Sequence, residues 1–147
     1  MDLIGLLSIL QIKIIKIVHI IHTALLDHLT NLAKKSRRLR MNYNFHEGDE
    51  SASQRLLNAM EPGTVLPVHR HLLTAETYVL LRGRIEVQFY NEEKEVVDTV
   101  ILDPEIGNYG VNIPAGQWHS LEVLLSGSVI FEVKDGPYAP LAQKDIL

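Results

Sequence analysis

Three histidines and one glutamate carry the chemistry that this sequence can offer. His69 and His71 lie two residues apart, Glu76 follows five later, and His119 arrives in a separate segment. Imidazole nitrogens and one carboxylate oxygen suit a borderline divalent metal: Zn, Fe(II), Mn(II), Ni(II), Co(II) or Cu(II). Residues i and i+2 of a strand leave the same face, about 7 Å apart along the chain. Leu72 to Ala75 gives the chain room to turn back, which would set Glu76 at the start of an antiparallel neighbour. Gly63 and Gly83 bracket this stretch with turn conformations that other residues resist, and Pro114-Ala115-Gly116 makes a second tight turn before His119. Three neutral histidines and one glutamate leave a divalent ion with a residual charge of about +1 and with open coordination positions. Such a centre favours an anionic ligand: a carboxylate, an enolate, a phosphate oxygen or hydroxide.

Positioning four such groups is the work of strands. Turn signals at Glu47-Gly48-Asp49, Pro62-Gly63, Arg82-Gly83, Asn91-Glu92-Glu93, Asp103-Pro104, Pro114-Ala115-Gly116 and Ser126-Gly127 divide the chain after residue 41. The segments between them read as strands: Met41–Phe45, Gln54–Met60, Val68–His71, Thr77–Leu81, Ile85–Tyr90, Val96–Leu102, Gly110–Ile113, His119–Leu125 and Ser128–Lys134. Alternation is clearest at Ile85, Val87 and Phe89, which share one face. Many short strands with regular turns predict a sandwich or barrel.

Before the strands, Thr23 to Lys35 reads as an amphipathic helix with Leu25, Leu26, Leu29, Leu32 and Ala33 on one face. Lys34, Lys35, Arg37, Arg38 and Arg40 cluster at its end, where cations suit the helix dipole; the alternative is an anion-facing rim. Upstream, Ile12 to Ile21 is rich in β-branched residues and predicts a buried or intersubunit strand. Lys13 and Lys16 interrupt the apolar run, which argues against a membrane span, and no signal-peptide cleavage pattern is present. Residues 1–40 are therefore expected to be a strand-and-helix extension packing on a barrel of residues 41–147.

The 147-residue chain suffices for one domain with a substantial core. A formal net charge of −4 gives no nucleic-acid footprint. The absence of cysteine excludes disulfides, thiolate metal sites, Fe–S clusters and thiol nucleophiles, and fits a cytoplasmic protein. Further pocket candidates are Arg55 and Asn58 on a flanking strand, His46 at the mouth, Tyr78 and Arg82 by shared parity with Glu76, and Tyr109 and Trp118 beside the second turn.

The two segments that hold the ligands resemble the paired sequence motifs of the cupin superfamily. The first matches at Gly63, His69, His71, Glu76 and Gly83; the second has Asn108 where the pattern has glycine and Val123 where it has asparagine. From about residue 17 onward the chain resembles the WbuC family, carried by Arg38-Leu39-Arg40-Met41-Asn42-Tyr43-Asn44-Phe45-His46, Gln54-Arg55-Leu56-Leu57-Asn58-Ala59, Gly107-Asn108-Tyr109-Gly110-Val111 and Phe131-Glu132-Val133-Lys134-Asp135-Gly136-Pro137-Tyr138. This resemblance implies a single-domain all-β cupin barrel (double-stranded β-helix, jelly roll) with a short N-terminal α-helix, one divalent metal ion and a homodimer. Its association is with bacterial surface-polysaccharide gene clusters. Whether the protein is an enzyme stays open at this point. A metal-dependent isomerase or epimerase on a small anionic or sugar-derived substrate, an Fe or Ni dioxygenase, and a non-catalytic metal- or ligand-binding module all fit the residues.

Overall fold

The computed structural model describes residues 18–147. Eight strands follow one helix: α1 (Thr23–Lys35), β1 (Arg40–Asn44), β2 (Ser53–Met60), β3 (Glu76–Arg82), β4 (Ile85–Tyr90), β5 (Val96–Leu102), β6 (Gly110–Ile113), β7 (Trp118–Val123) and β8 (Ser128–Asp135). They pair antiparallel into a larger sheet, ordered β1-β2-β8-β3-β6, and a smaller one, ordered β5-β4-β7. The chain passes repeatedly from one sheet to the other, and the two faces close over a shared interior as a cupin jelly roll.

The period-two pattern explains which residues fill that interior. Ile85, Val87, Leu80, Ile113, Leu121, Val123 and Ile130 form the apolar core between the sheets. The inward face of the larger sheet changes character along its length. On β8 it runs from Ile130 to Glu132 and Lys134, on β3 from Leu80 to Tyr78 and Glu76, and on β2 from Met60 to Asn58, Leu56 and Gln54. One end of the barrel is therefore a packed hydrocarbon core, and the other is a polar chamber.

The outer face of the same sheet is covered by α1. Leu26, Leu29 and Ala33 pack on Leu57, Ala59 and Val129, the residues of β2 and β8 with opposite parity to the cavity wall. His22 caps the helix, its Nδ1 accepting from the Leu25 amide. Arg82 ties the helix down, donating to Asp27 (2.6 Å), to Thr30 (2.9 Å) and to the Gly127 carbonyl (2.9 Å). Arg82 points this way because a register shift between Leu80 and Arg82 reverses its parity relative to Glu76.

Two expectations are corrected. Val68–His71 is not a strand: it makes isolated bridges through His69 alone, to His119 on one side and to Ile146 on the other. The expected strand from Ile12 to Ile21 falls largely outside the described residues. Its described end, Val18 to Ile21, has no regular structure and leaves Val18 83% and Ile20 68% exposed. Here His19 bonds Tyr43 Oη at 2.6 Å instead, on the approach to the helix cap.

Gly83 makes the corner from β3 in the larger sheet to β4 in the smaller. Its φ is +97°, and a Cβ placed there would fall on the side chain and Cα of Ser128. Gly83→Ala should destabilise the protein by roughly 2–5 kcal/mol in chemical denaturation, from combined backbone strain and overpacking. Gly107→Ala, also at positive φ but with open space around it, should cost only the backbone strain, about 1–2 kcal/mol.

Candidate metal centre

The centre is assembled by a single backbone contact. His69 and His119 exchange two hydrogen bonds, from His69 N to His119 O at 3.0 Å and from His119 N to His69 O at 2.9 Å. A directly opposed pair of this kind sends both side chains to one face, and the rings lie 4.4 Å apart between centroids. His71 is held two residues on, where its carbonyl accepts from the Gly116 amide at 2.8 Å. The turn at Pro114–Gly116 thus secures both motif segments at once. Glu76 opens β3, opposite Lys134 of β8 and Ile113 of β6.

These elements bring all four expected ligands together. Donor atoms of His69, His71 and Glu76 lie within 4.8 Å of one another and form a group that could hold a metal ion. His119 Nε2 is 2.6 Å from Glu76 Oε1, and His71 Nε2 is 3.6 Å from the same oxygen.

The chemistry of the donor set fits an ion. His69 Nδ1 donates to the Pro67 carbonyl and His119 Nδ1 to the Gln117 carbonyl, both at 2.9 Å, which leaves each Nε2 as a lone pair facing inward. A lone pair and a carboxylate in contact need a cation or an extra proton between them. Glu76 Oε2 is buried without a hydrogen-bond partner, an orphan that metal coordination would satisfy. Tyr78 Oη donates to Glu76 Oε1 at 3.0 Å.

Electrostatics favour the ligating forms. Burial lowers the pKa of His69, and burial takes His71 down to about 4, so both rings are neutral at pH 7. Burial alone would raise Glu76, but with no ion bound the extra proton at the His119 contact, through its hydrogen bond and charge, brings the carboxyl down to about 2. Burial, and then the charge of Glu76, raises the Tyr78 phenol, which stays a neutral donor.

Behind the ligands, on the outer face, Arg70 stands across from Trp118 as His69 stands across from His119. The guanidinium lies 4.6 Å from the indole centroid, donates to Asp145 at 2.8 Å and contacts Glu92 at 3.4 Å. Glu92 also accepts from Trp118 Nε1 at 3.2 Å. The backbone adds Arg70 N to Asp145 O (3.0 Å) and Leu147 N to Val68 O (2.8 Å). The segment that carries His69 and His71 is therefore clamped from behind as well as paired in front.

Two of the four ligands, His69 and His119, line a cavity of about 410 Å³, a size suited to a small molecule. Of the expected pocket residues, Asn58, Tyr78 and His46 line it, His46 through bonds between its ring and the Arg55 backbone. Four others lie elsewhere. Arg55 is exposed, because it is three residues from Asn58 and so has the opposite parity. Arg82 faces the helix, Tyr109 is 60% exposed, and Trp118 is buried under Arg70.

The cavity also takes Asn42, Gln54, Glu132 and Lys134, none of them among the expected site residues, and Arg38 and Arg40, for which an anion-facing rim was the alternative expectation. The available signal was the run of polar residues at even positions, 42 and 44, 54 and 58, 132 and 134, where a core strand would carry hydrocarbon. Burial, and then the charge of Glu76, raises Glu132 to about 8.

Two antiparallel sheets closed around a His/His/Glu group give this chain the cupin fold. Solved structures with this fold include KdgF from Halomonas sp., with a TM-score of 0.54 at 14% identity over 68% of this chain and 80% of that one. The cupin domain of Schizosaccharomyces pombe Cnp3 gives 0.54 at 14% identity, over 67% and 66% of the two chains. The Staphylococcus aureus capsular polysaccharide assembling protein CapF gives 0.60 at 18% identity, over 76% of this chain and 32% of CapF. At these identities the likeness is one of fold. No curated protein matches the sequence. The chain belongs to the family described as Domain of unknown function (DUF6016), whose model matches residues 21–102, more than half of its length.

Replacing one ligand, as in His119→Ala, should lower Zn(II) affinity at least tenfold in a competition titration. Arg70→Lys, which removes the planar fork behind the site, should lower it about tenfold. With His71 at about 4, a proton displaces metal from that ring only as the pH falls toward that value. Metal-loaded protein dialysed at pH 6 should keep its ion and lose it between about pH 5 and 4. Loss already at pH 6 would mean that the imidazoles titrate as free histidine does.

Proposed function

We propose that this protein is a divalent-metal cupin that binds a small anionic or sugar-derived molecule in the chamber beside the metal and acts on it as a metal-dependent enzyme. The observation that carries this reading is the orphaned Glu76 Oε2 beside His69 and His119, whose inward-facing nitrogens line a polar cavity. His69, His71, Glu76 and His119 are the ligands. When bound, the ion supplies Lewis acidity toward a carbonyl, carboxylate or phosphate oxygen.

The chain's own groups do the rest. Tyr78 fixes Glu76 through its phenol, Lys134 and the arginines set a positive field on the wall, and amides of Asn42, Gln54 and Asn58 are suited to hydroxyl groups. The likeness in fold to a capsular polysaccharide assembling protein supports a place in bacterial surface-polysaccharide synthesis. So does the WbuC-like run of sequence. We infer a cytoplasmic homodimer, with the exposed apolar residues Val18, Ile20 and Ile21 toward the partner.

Metal-loaded protein should turn over a member of a sugar-phosphate or nucleotide-sugar pool, read by mass spectrometry. Stripping the metal, or Glu76→Gln, should reduce that turnover roughly a hundredfold or more. Turnover that survives full chelation would overturn the metal-dependent reading.

A further inference from the structure

Arg38 and Arg40 line the cavity that holds the histidines. Arg40 is half-buried, and among the described residues it has no carboxylate partner, whereas Arg70, Arg82 and Arg84 each hold one at 2.6–2.8 Å. Burying an unpaired guanidinium is unfavourable. Burial and then the charge of Arg38, which lines the same cavity, lower the Arg40 pKa.

Between them Leu39 sits at φ +54°, the left-handed region that a branched side chain seldom adopts. Three hydrogen bonds impose this arrangement: Thr64 Oγ1 to Arg38 O at 2.6 Å, Glu61 N to Leu39 O at 2.9 Å, and Arg40 Nη1 to Val65 O at 2.7 Å. The Arg38 backbone and the Arg40 guanidinium are thus fixed to the Glu61–Val65 turn, with the exposed Arg38 side chain beside them on the cavity wall. A second, independent feature lies on the same cavity wall. Asn58, 8% exposed, lies beside Glu132 and has its Oδ1 without a hydrogen-bond partner.

We propose that Arg38 and Arg40 form a second anion-binding station, so that the ligand is a small molecule with two separated acidic ends. One end meets the His69/His71/Glu76/His119 centre. The other, a phosphate or carboxylate, lies on the two guanidiniums, whose planar forks suit bidentate oxyanions. A hydroxyl between the ends donates to Asn58 Oδ1. Val65, which anchors Arg40, is four residues before His69, a reach of at most about 14 Å, so a single small molecule can span both stations. The two-ended ligand rests on the reading of the cavity given above, whereas the arginine station can be tested apart from it.

The test is calorimetric titration of the full chain loaded with Zn(II), using straight-chain dicarboxylates of increasing length and monocarboxylates of matched length. A dicarboxylate long enough to span should bind at least tenfold more tightly than its monocarboxylate, and Arg38→Gln with Arg40→Gln should erase that advantage at unchanged zinc content. Gln at position 40 keeps a donor for the Val65 carbonyl, and an unchanged melting temperature confirms folding of the variant. Equal affinities of the two series at every length, or an advantage that survives both substitutions, would overturn the proposal. Inorganic phosphate and acetate titrated into metal-free protein read the arginine station alone, and distinguish a phosphate site from a carboxylate site. Binding of either that depends on Arg40 supports the station even if the chain fails to hold zinc, and binding of neither counts against it.

Discussion

The reciprocal hydrogen-bond pair between His69 and His119 is the constraint on which the rest of the site depends. It joins a segment that is otherwise almost without regular pairing to β7, a strand of the smaller sheet. Because opposed residues in an antiparallel pair share a face, this one contact fixes two imidazoles toward the chamber and, one residue further, sets Arg70 over Trp118 on the reverse side. Glu76 comes from the other sheet. The donor cluster is therefore a fastening between the two halves of the barrel as much as a site within one of them.

Much of this was legible in the sequence. The periodicity of Ile85, Val87 and Phe89 and the positions of the turns marked out the strands, and the two-residue spacing of His69 and His71 pointed to a shared face. What could not be read was the partner of each segment. Val68–His71 has the composition of a strand but lies between β7 and the C-terminal residues with only His69 in register, a fact set by tertiary context. Arg82 shares parity with Glu76 in the sequence and loses it through one irregular residue in β3. Arg55 and Asn58, grouped because both precede the first motif, are separated by the plain arithmetic of a two-residue period.

The basic run after α1 shows the same limit from the other side. Its composition suits a helix end, and Lys34 and Lys35 do occupy the last turn. Arg38 and Arg40 lie past the helix, where the positive φ at Leu39 and the bonds to Thr64, Glu61 and Val65 turn the chain onto the cavity wall. Nothing local in the sequence announces that turn. It depends on a loop more than twenty residues away.

The change from hydrocarbon to polar side chains along β2, β3 and β8 has a consequence for how such a barrel can diverge. Residues that pack the core are gathered at one end, and residues that line the cavity at the other, on the same strands but two or more positions apart. Exchange of an inward polar residue for another changes what the chamber recognises without touching the interlocked hydrocarbon layer. A single scaffold can thus be retuned for different small molecules by drift at one end alone.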